Sequence, residues 1–128
     1  MKKEIKNWLD SGSYDLETAE HMFRGGRYIY TIFMCHLSIE KALKAKVEEI
    51  TGKTPPKTHS LGYLLELATL SPSEKIEKFL GELNNLNVVT RYPKDFQEML
   101  KAFTKERTED FLKKTKETFQ WIKQLIKL

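Results

Sequence analysis

Residues 27–51 carry apolar side chains at helical spacing over a wide arc, and two polar residues stand inside that arc. At 100° per residue, with His36 at 0°, Ile29 and Val47 fall at about +20° and Leu43 at about −20°. Ile32 and Ile50 fall at about −40° and Ile39 at about −60°. Glu40 stands at about +40°, one turn beyond His36 on the same face. An unpaired carboxylate in such a stripe costs several kcal/mol, on the order of other uncompensated buried ions. The pair must therefore find hydrogen-bond partners, or the helix lines a cleft there. The width of the arc marks this segment as the central helix of its fold.

The rest of the chain repeats the 3.6-residue period, and β-branched runs of period 2 are absent. A first helix is expected over about residues 3–23, with Ile5, Trp8, Gly12, Leu16, Ala19 and Phe23 on one side and Gly25-Gly26 as its stop. The central helix ends at Gly52. Residues 53–57, with two prolines, form a loop, and Thr58 or Ser60 caps a short helix with Leu61, Leu64, Leu65 and Ala68 inward. Ser71-Pro72-Ser73-Glu74 reads as a capping box with proline at the first helical position. It opens a helix carrying Ile76, Phe79, Leu80, Leu83 and Leu86, which breaks at 90–93, where Pro93 biases Tyr92 to extended geometry. A short helical turn is expected over Asp95 to Phe103. Thr104 caps a last long helix with Phe111, Thr115, Phe119, Ile122 and Ile126 on one face. Short loops favour antiparallel neighbours. The expected fold is all-α: an up-and-down helical bundle of four long helices plus a short additional helix, in one domain spanning residues 1–128.

Bulk properties exclude several function classes. The net charge is +4, with lysines spread along the chain and no dense basic block of the kind found in nucleic-acid tails. That balance permits phosphate contact without demanding it. Cys35 is the single cysteine, so no internal disulfide can form and a reducing cytoplasm is the default expectation. No run approaches the roughly 18 apolar residues of a membrane span, and the first residues lack a signal-peptide core. The many Lys and Glu and few Gln point toward a thermophile.

His21, His36 and His59 occur without metal-site spacing, and neither a nucleophile elbow nor a phosphate-binding lysine loop is present. Cys35 sits in apolar surroundings that do not activate a thiol. His36 and Glu40 fit two readings: a satisfied core pair, or the floor of a polar cleft with Lys44 flanking Glu40. Lys41, at about +140°, reads as part of a solvated lysine face. His59, just before a helix, either packs its loop or meets an anion beside free helix-start amides. Arg91 and Tyr92 either hold a phosphate and stack on a base, or Arg91 turns back into the bundle, to Glu40 for instance. Asp15, at the edge of the first helix's stripe, can pair with a buried cation.

Trp8 with Asp15-Leu16 and Ala19, Gly26-x-Tyr28, Ser38-x-Glu40-Lys41-Ala42-Leu43-Lys44-Ala45, Thr58-His59-Ser60-Leu61 and Arg91-Tyr92-Pro93 occur in that order. Together they resemble the HEPN domain (higher eukaryotes and prokaryotes nucleotide-binding) over nearly the whole chain. The resemblance implies a helical bundle, commonly dimeric, often working beside a minimal nucleotidyltransferase. Some members bind nucleotides; others are ribonucleases or toxins of toxin–antitoxin pairs. Ribonuclease members carry an arginine followed four to six residues later by a histidine. Here no histidine follows His59, and neither Arg24 nor Arg27 has one at that spacing, so no catalytic residue is assigned. The matched positions that carry over as candidate ligand contacts are Glu40, Lys44, His59, Arg91 and Tyr92, with Lys41 beside them.

The leading expectation is a homodimeric binding module for a nucleotide or a nucleotidyltransferase partner, without cofactor, metal or membrane. The alternatives are a metal-independent ribonuclease acting on RNA through His59 and Arg91 across a dimer cleft, and a purely structural interaction subunit. The dimer is expected from apolar coverage on the first two helices, including Phe33 and Leu37. The ligand site is expected where His59 and the 91–93 break approach Glu40 and Lys44.

Overall fold

The computed structural model describes residues 2–91 and 94–127, with backbone alone at 88–91. The elements in order are α1 (Lys2–Arg24), α2 (Tyr28–Thr51), α3 (Leu61–Leu67), α4 (Glu74–Arg91), α5 (Phe96–Ala102) and α6 (Lys105–Gln124). The fold is the expected all-α bundle. Its four long helices are joined by two short ones, because the turn expected after Asp95 closes into the seven-residue α5.

The central place of α2 follows from its width of apolar coverage. It packs against each of the other five helices. Ile32, Cys35, Ile39, Ala42, Leu43, Ala45 and Val47 are buried along it. Ile50 belongs to the same arc in the sequence but is 47% exposed, because the last turn of α2 projects past the core. On α1 the buried row is Ile5, Leu9, Gly12, Asp15 and Ala19, while Trp8, Leu16 and Phe23 pack against its margin. Gly12 is needed for close approach: a Cβ there would stand 2.9 Å from a Phe119 ring carbon and 3.1 Å from the Ser38 carbonyl oxygen.

Helix ends follow local chemistry. Gly26, at φ 74°, lets the Arg27 N–H donate to the Met22 carbonyl and the Gly26 N–H to that of Phe23, the Schellman pattern. Gly52, at φ 70°, closes α2 through its N–H to the Glu48 carbonyl. Ser60, Asp95 and Thr104 cap α3, α5 and α6 by accepting backbone N–H groups. The start of α4 differs from the capping box read in the sequence. Ser73, not Ser71, is the cap, accepting the Ile76 N–H at 3.3 Å. Leu70, Ser71 and Pro72 instead close one end of a groove of about 690 Å³ between α3 and α4. Beyond α6, Ile126 is buried, and the tail is tied to α2 by the Lys46 ammonium on the Leu125 carbonyl and by the Lys127 N–H on Glu49. No described helix is long and apolar enough to cross a membrane.

Candidate functional site

The two polar residues in the α2 stripe are both buried, and Glu40 is the hub. Its Oε2 accepts from the Lys44 ammonium at 3.1 Å, one turn further along. Its Oε1 lies 2.9 Å from His59 Nδ1, brought from the loop before α3. His36 Nδ1 stands 3.7 Å from the same oxygen, beyond hydrogen-bond length. One carboxylate thus serves as counter-charge to a buried lysine and as the anchor for an imidazole that is itself 59% exposed. With Nδ1 held, Nε2 is the nitrogen left to act on the exposed side.

Each residue of Thr58-His59-Ser60-Leu61 helps aim that ring. The Thr58 hydroxyl accepts the Ser60 N–H, and Ser60 caps α3 through the Tyr63 N–H. The Leu61 N–H donates to Asn84 Oδ1 on α4, and the Leu61 side chain is buried. These bonds also occupy the Leu61 and Tyr63 amides, which the sequence alone leaves free for an anion.

Lys44 connects this hub to α1. Its ammonium lies 5.5 Å from the Trp8 ring centroid, within cation–π range. Trp8 Nε1 donates in turn to Glu48 Oε1 at 3.2 Å. Glu48 is a buried site residue that sequence reasoning missed. The signal was present, because Glu40, Lys44 and Glu48 follow one another at i, i+4, i+8 on one face. Beside Trp8 and Glu48 opens a cavity of about 380 Å³, lined also by Glu4, Asn7, Ser11 and Thr54.

Lys41 is not part of a solvated face. Its ammonium meets Asp15 at 2.7 Å and donates to the Ser11 hydroxyl at 2.8 Å, so the wheel position near +140° points it at α1 rather than at water. Asp15 fills the role of partner to a half-buried cation that its stripe-edge position suggested. His21 is remote from the hub in sequence and meets Arg24, one turn on, at an exposed surface. Among the described residues no group of three or more His, Cys, Asp or Glu is placed to hold a metal. Cys35 is buried, and burial pushes its thiol up to about 12, so it is no nucleophile. The Arg91 side chain and all of Tyr92, the remaining candidates, lie outside the described residues. The structure therefore brings Glu40, Lys44 and His59 together, and adds Trp8 and Glu48.

The family model for the HEPN domain matches residues 5–125. The chain belongs to the HEPN family. The fold of this HEPN domain is shared by two solved structures. ST0689, described as an archaeal HEPN homologue, superposes with a TM-score of 0.77 at 21% identity, covering 97% of this chain and 98% of that one. TT1696 from Thermus thermophilus superposes with a TM-score of 0.76 at 17% identity, covering 96% of this chain and 98% of its own. At these identities the likeness is one of fold. No curated protein sequence matches the chain. Within the HEPN domain, the family-like segments Ser38–Ala45 and Thr58–Leu61 are the ones joined by the Glu40–His59 contact.

Proposed function

We propose that this HEPN protein is a non-catalytic nucleotide-binding module, homodimeric, that serves as accessory partner to a minimal nucleotidyltransferase. The observation that carries the reading is the exposed His59 imidazole, locked by Nδ1 to the buried Glu40 that also holds Lys44. An exposed imidazole fixed through Nδ1, with Nε2 outward, suits contact with a phosphate. Proton–nitrogen correlation spectra recorded during titration with ATP and with UMP test this. Saturable shifts in the amides of residues 58–61, weakened at least about tenfold in His59→Ala, are expected. Unmoved amides in that segment at millimolar nucleotide would overturn the reading.

The same contact favours a second reading. A buried carboxylate that orients an imidazole, leaving Nε2 outward, is the arrangement of a general base. As a ribonuclease, the protein would cleave RNA in the presence of a chelator and lose that activity in His59→Ala. Nucleotide binding without turnover favours the module.

A further inference from the structure

The buried acids of this chain are Asp15, Glu40 and Glu48. Asp15 has Lys41 at 2.7 Å and Glu40 has Lys44 at 3.1 Å. Glu48 alone of the three has no lysine, arginine or histidine within ion-pair distance among the described residues. It is 5% exposed, and its hydrogen bond comes from the neutral Trp8 indole N–H at 3.2 Å. Lys44, one turn earlier on the same face, directs its ammonium to Glu40 Oε2 instead. One neutral N–H is the hydrogen bond that Glu48 receives among the described residues, and its side chain lines an open cleft.

Glu48 faces the cavity of about 380 Å³ that Trp8 walls on one side. The remaining lining includes the Asn7 and Thr54 side chains as neutral acceptors, beside Ser11, whose hydroxyl already accepts from Lys41. The cavity is an open cleft rather than an enclosed pocket, so a guest held there keeps part of its surface in water. An aromatic wall, a buried carboxylate and neutral acceptors together select an organic cation over an anion. The positive charge on Lys44 does not close the site to such a guest, because Glu40 neutralises it at contact distance.

We propose that this cavity is a binding site for a primary ammonium group, with Glu48 as the counter-charge and Trp8 as the aromatic wall. The group comes from a free polyamine or from a lysine side chain of a partner protein. The site is separate from His59 and takes the opposite charge to the nucleotide phosphate proposed there. The chain's net charge of +4 does not steer a cation toward it, so affinity is local and falls as salt rises.

The test is titration of the intact protein with spermidine and, separately, with Nα-acetyl-lysine methylamide, following the Trp8 indole N–H resonance. Trp121→Phe assigns that signal. Saturable shifts with either probe are expected, with affinity lost at least about tenfold in Glu48→Gln, which keeps an acceptor for the indole. Tighter binding of spermidine assigns the site to free polyamines; equal or tighter binding of the blocked lysine assigns it to a partner's side chain. Should Glu48→Gln fail to fold, Thr54→Lys on the loop wall places an internal ammonium at the cavity and is expected to abolish binding of both probes. An indole signal unmoved by both probes overturns the proposal. So does binding of equal strength in Glu48→Gln, or in Thr54→Lys where that variant decides.

Discussion

Glu40 and Lys41 are neighbours in sequence whose side chains answer to different helices. Truncating Glu40 leaves the buried Lys44 ammonium without its counter-charge, with His36 beside it and His59 loosened. Glu40→Ala is expected to cost about 3–5 kcal/mol, the range for breaking a buried pair. The helical wheel alone would allow Lys41→Ala no more than about 0.5 kcal/mol, as for a solvated lysine. The ion pair with buried Asp15 raises that expectation to about 1–3 kcal/mol, because the carboxylate would lose its counter-charge. Urea unfolding of both variants at pH 7 checks the order and the sizes; a neutral Lys41→Ala would show that the Asp15 pair adds nothing. Cys35 supplies a separate check on the core. With its thiol raised to about 12 by burial, it stays protonated and shielded in the folded protein at pH 8. Ellman's reagent should therefore react only after denaturant is added, and fast labelling of the native protein would contradict the packing around α2.

The helices end on glycine where the backbone turns left-handed, with one exception. Thr69, after α3, has φ 52°, and its own N–H and that of Leu70 donate to the Glu66 and Leu65 carbonyls as at a normal helix end. A β-branched residue is strained there by on the order of 1–2 kcal/mol. Thr69→Gly is expected to stabilise by up to about 1 kcal/mol, part of the relief being offset by added freedom in the unfolded chain. An unchanged or lower Tm would mean that the Thr69 hydroxyl, 2.8 Å from the Ala68 carbonyl, offsets the strain. Glycines inside helices separate by the same kind of argument. At Gly81 in α4 an added Cβ meets nothing within 4 Å, so Gly81→Ala should stabilise by about 0.5–1 kcal/mol through helix propensity. At Gly12 the same methyl meets the Phe119 ring and the Ser38 carbonyl, and about 1–3 kcal/mol should be lost to overpacking. Thermal unfolding of the two alanine variants should therefore move Tm in opposite directions.

For the whole molecule, the open quantity is its assembly. Phe33 and Leu37, on which the sequence expectation of a dimer rests, are half-buried within the chain. More prominent on the first two helices are Tyr14, 71% exposed, and Tyr30, 59% exposed. We propose a homodimer that uses the exposed faces of these two helices, and expect sedimentation at micromolar concentration to give twice the 15.1 kDa chain mass. The double variant Tyr14→Glu, Tyr30→Glu should shift it to monomer. A wild-type protein that sediments only as monomer would remove the dimer and, with it, any cleft shared between copies.

The elements could be read from the chain because each rests on chemistry within one or two turns. Thr104 lies one turn before Arg107, Gly52 one turn after Glu48, and the apolar arc of α2 recurs every 3.6 residues; the structure keeps all three. The choice of Ser73 over Ser71 shows where that stops, since both serines, two residues apart, are competent caps by local sequence. The polar pair in the stripe was likewise visible, but its partner was not. His36, four residues away, is the neighbour that periodicity offers to Glu40, yet the shorter contact is with His59, nineteen residues on. Trp8 meets Glu48 across forty residues, and Lys41 meets Asp15 on another helix. Those meetings depend on how far each helix slides and turns against α2, quantities that periodicity along one helix does not contain. Sequence alone determined that His36 and Glu40 had to leave water in need of a partner. Only the packing of α1 and the α3 loop onto α2 decided which partner each buried acid received.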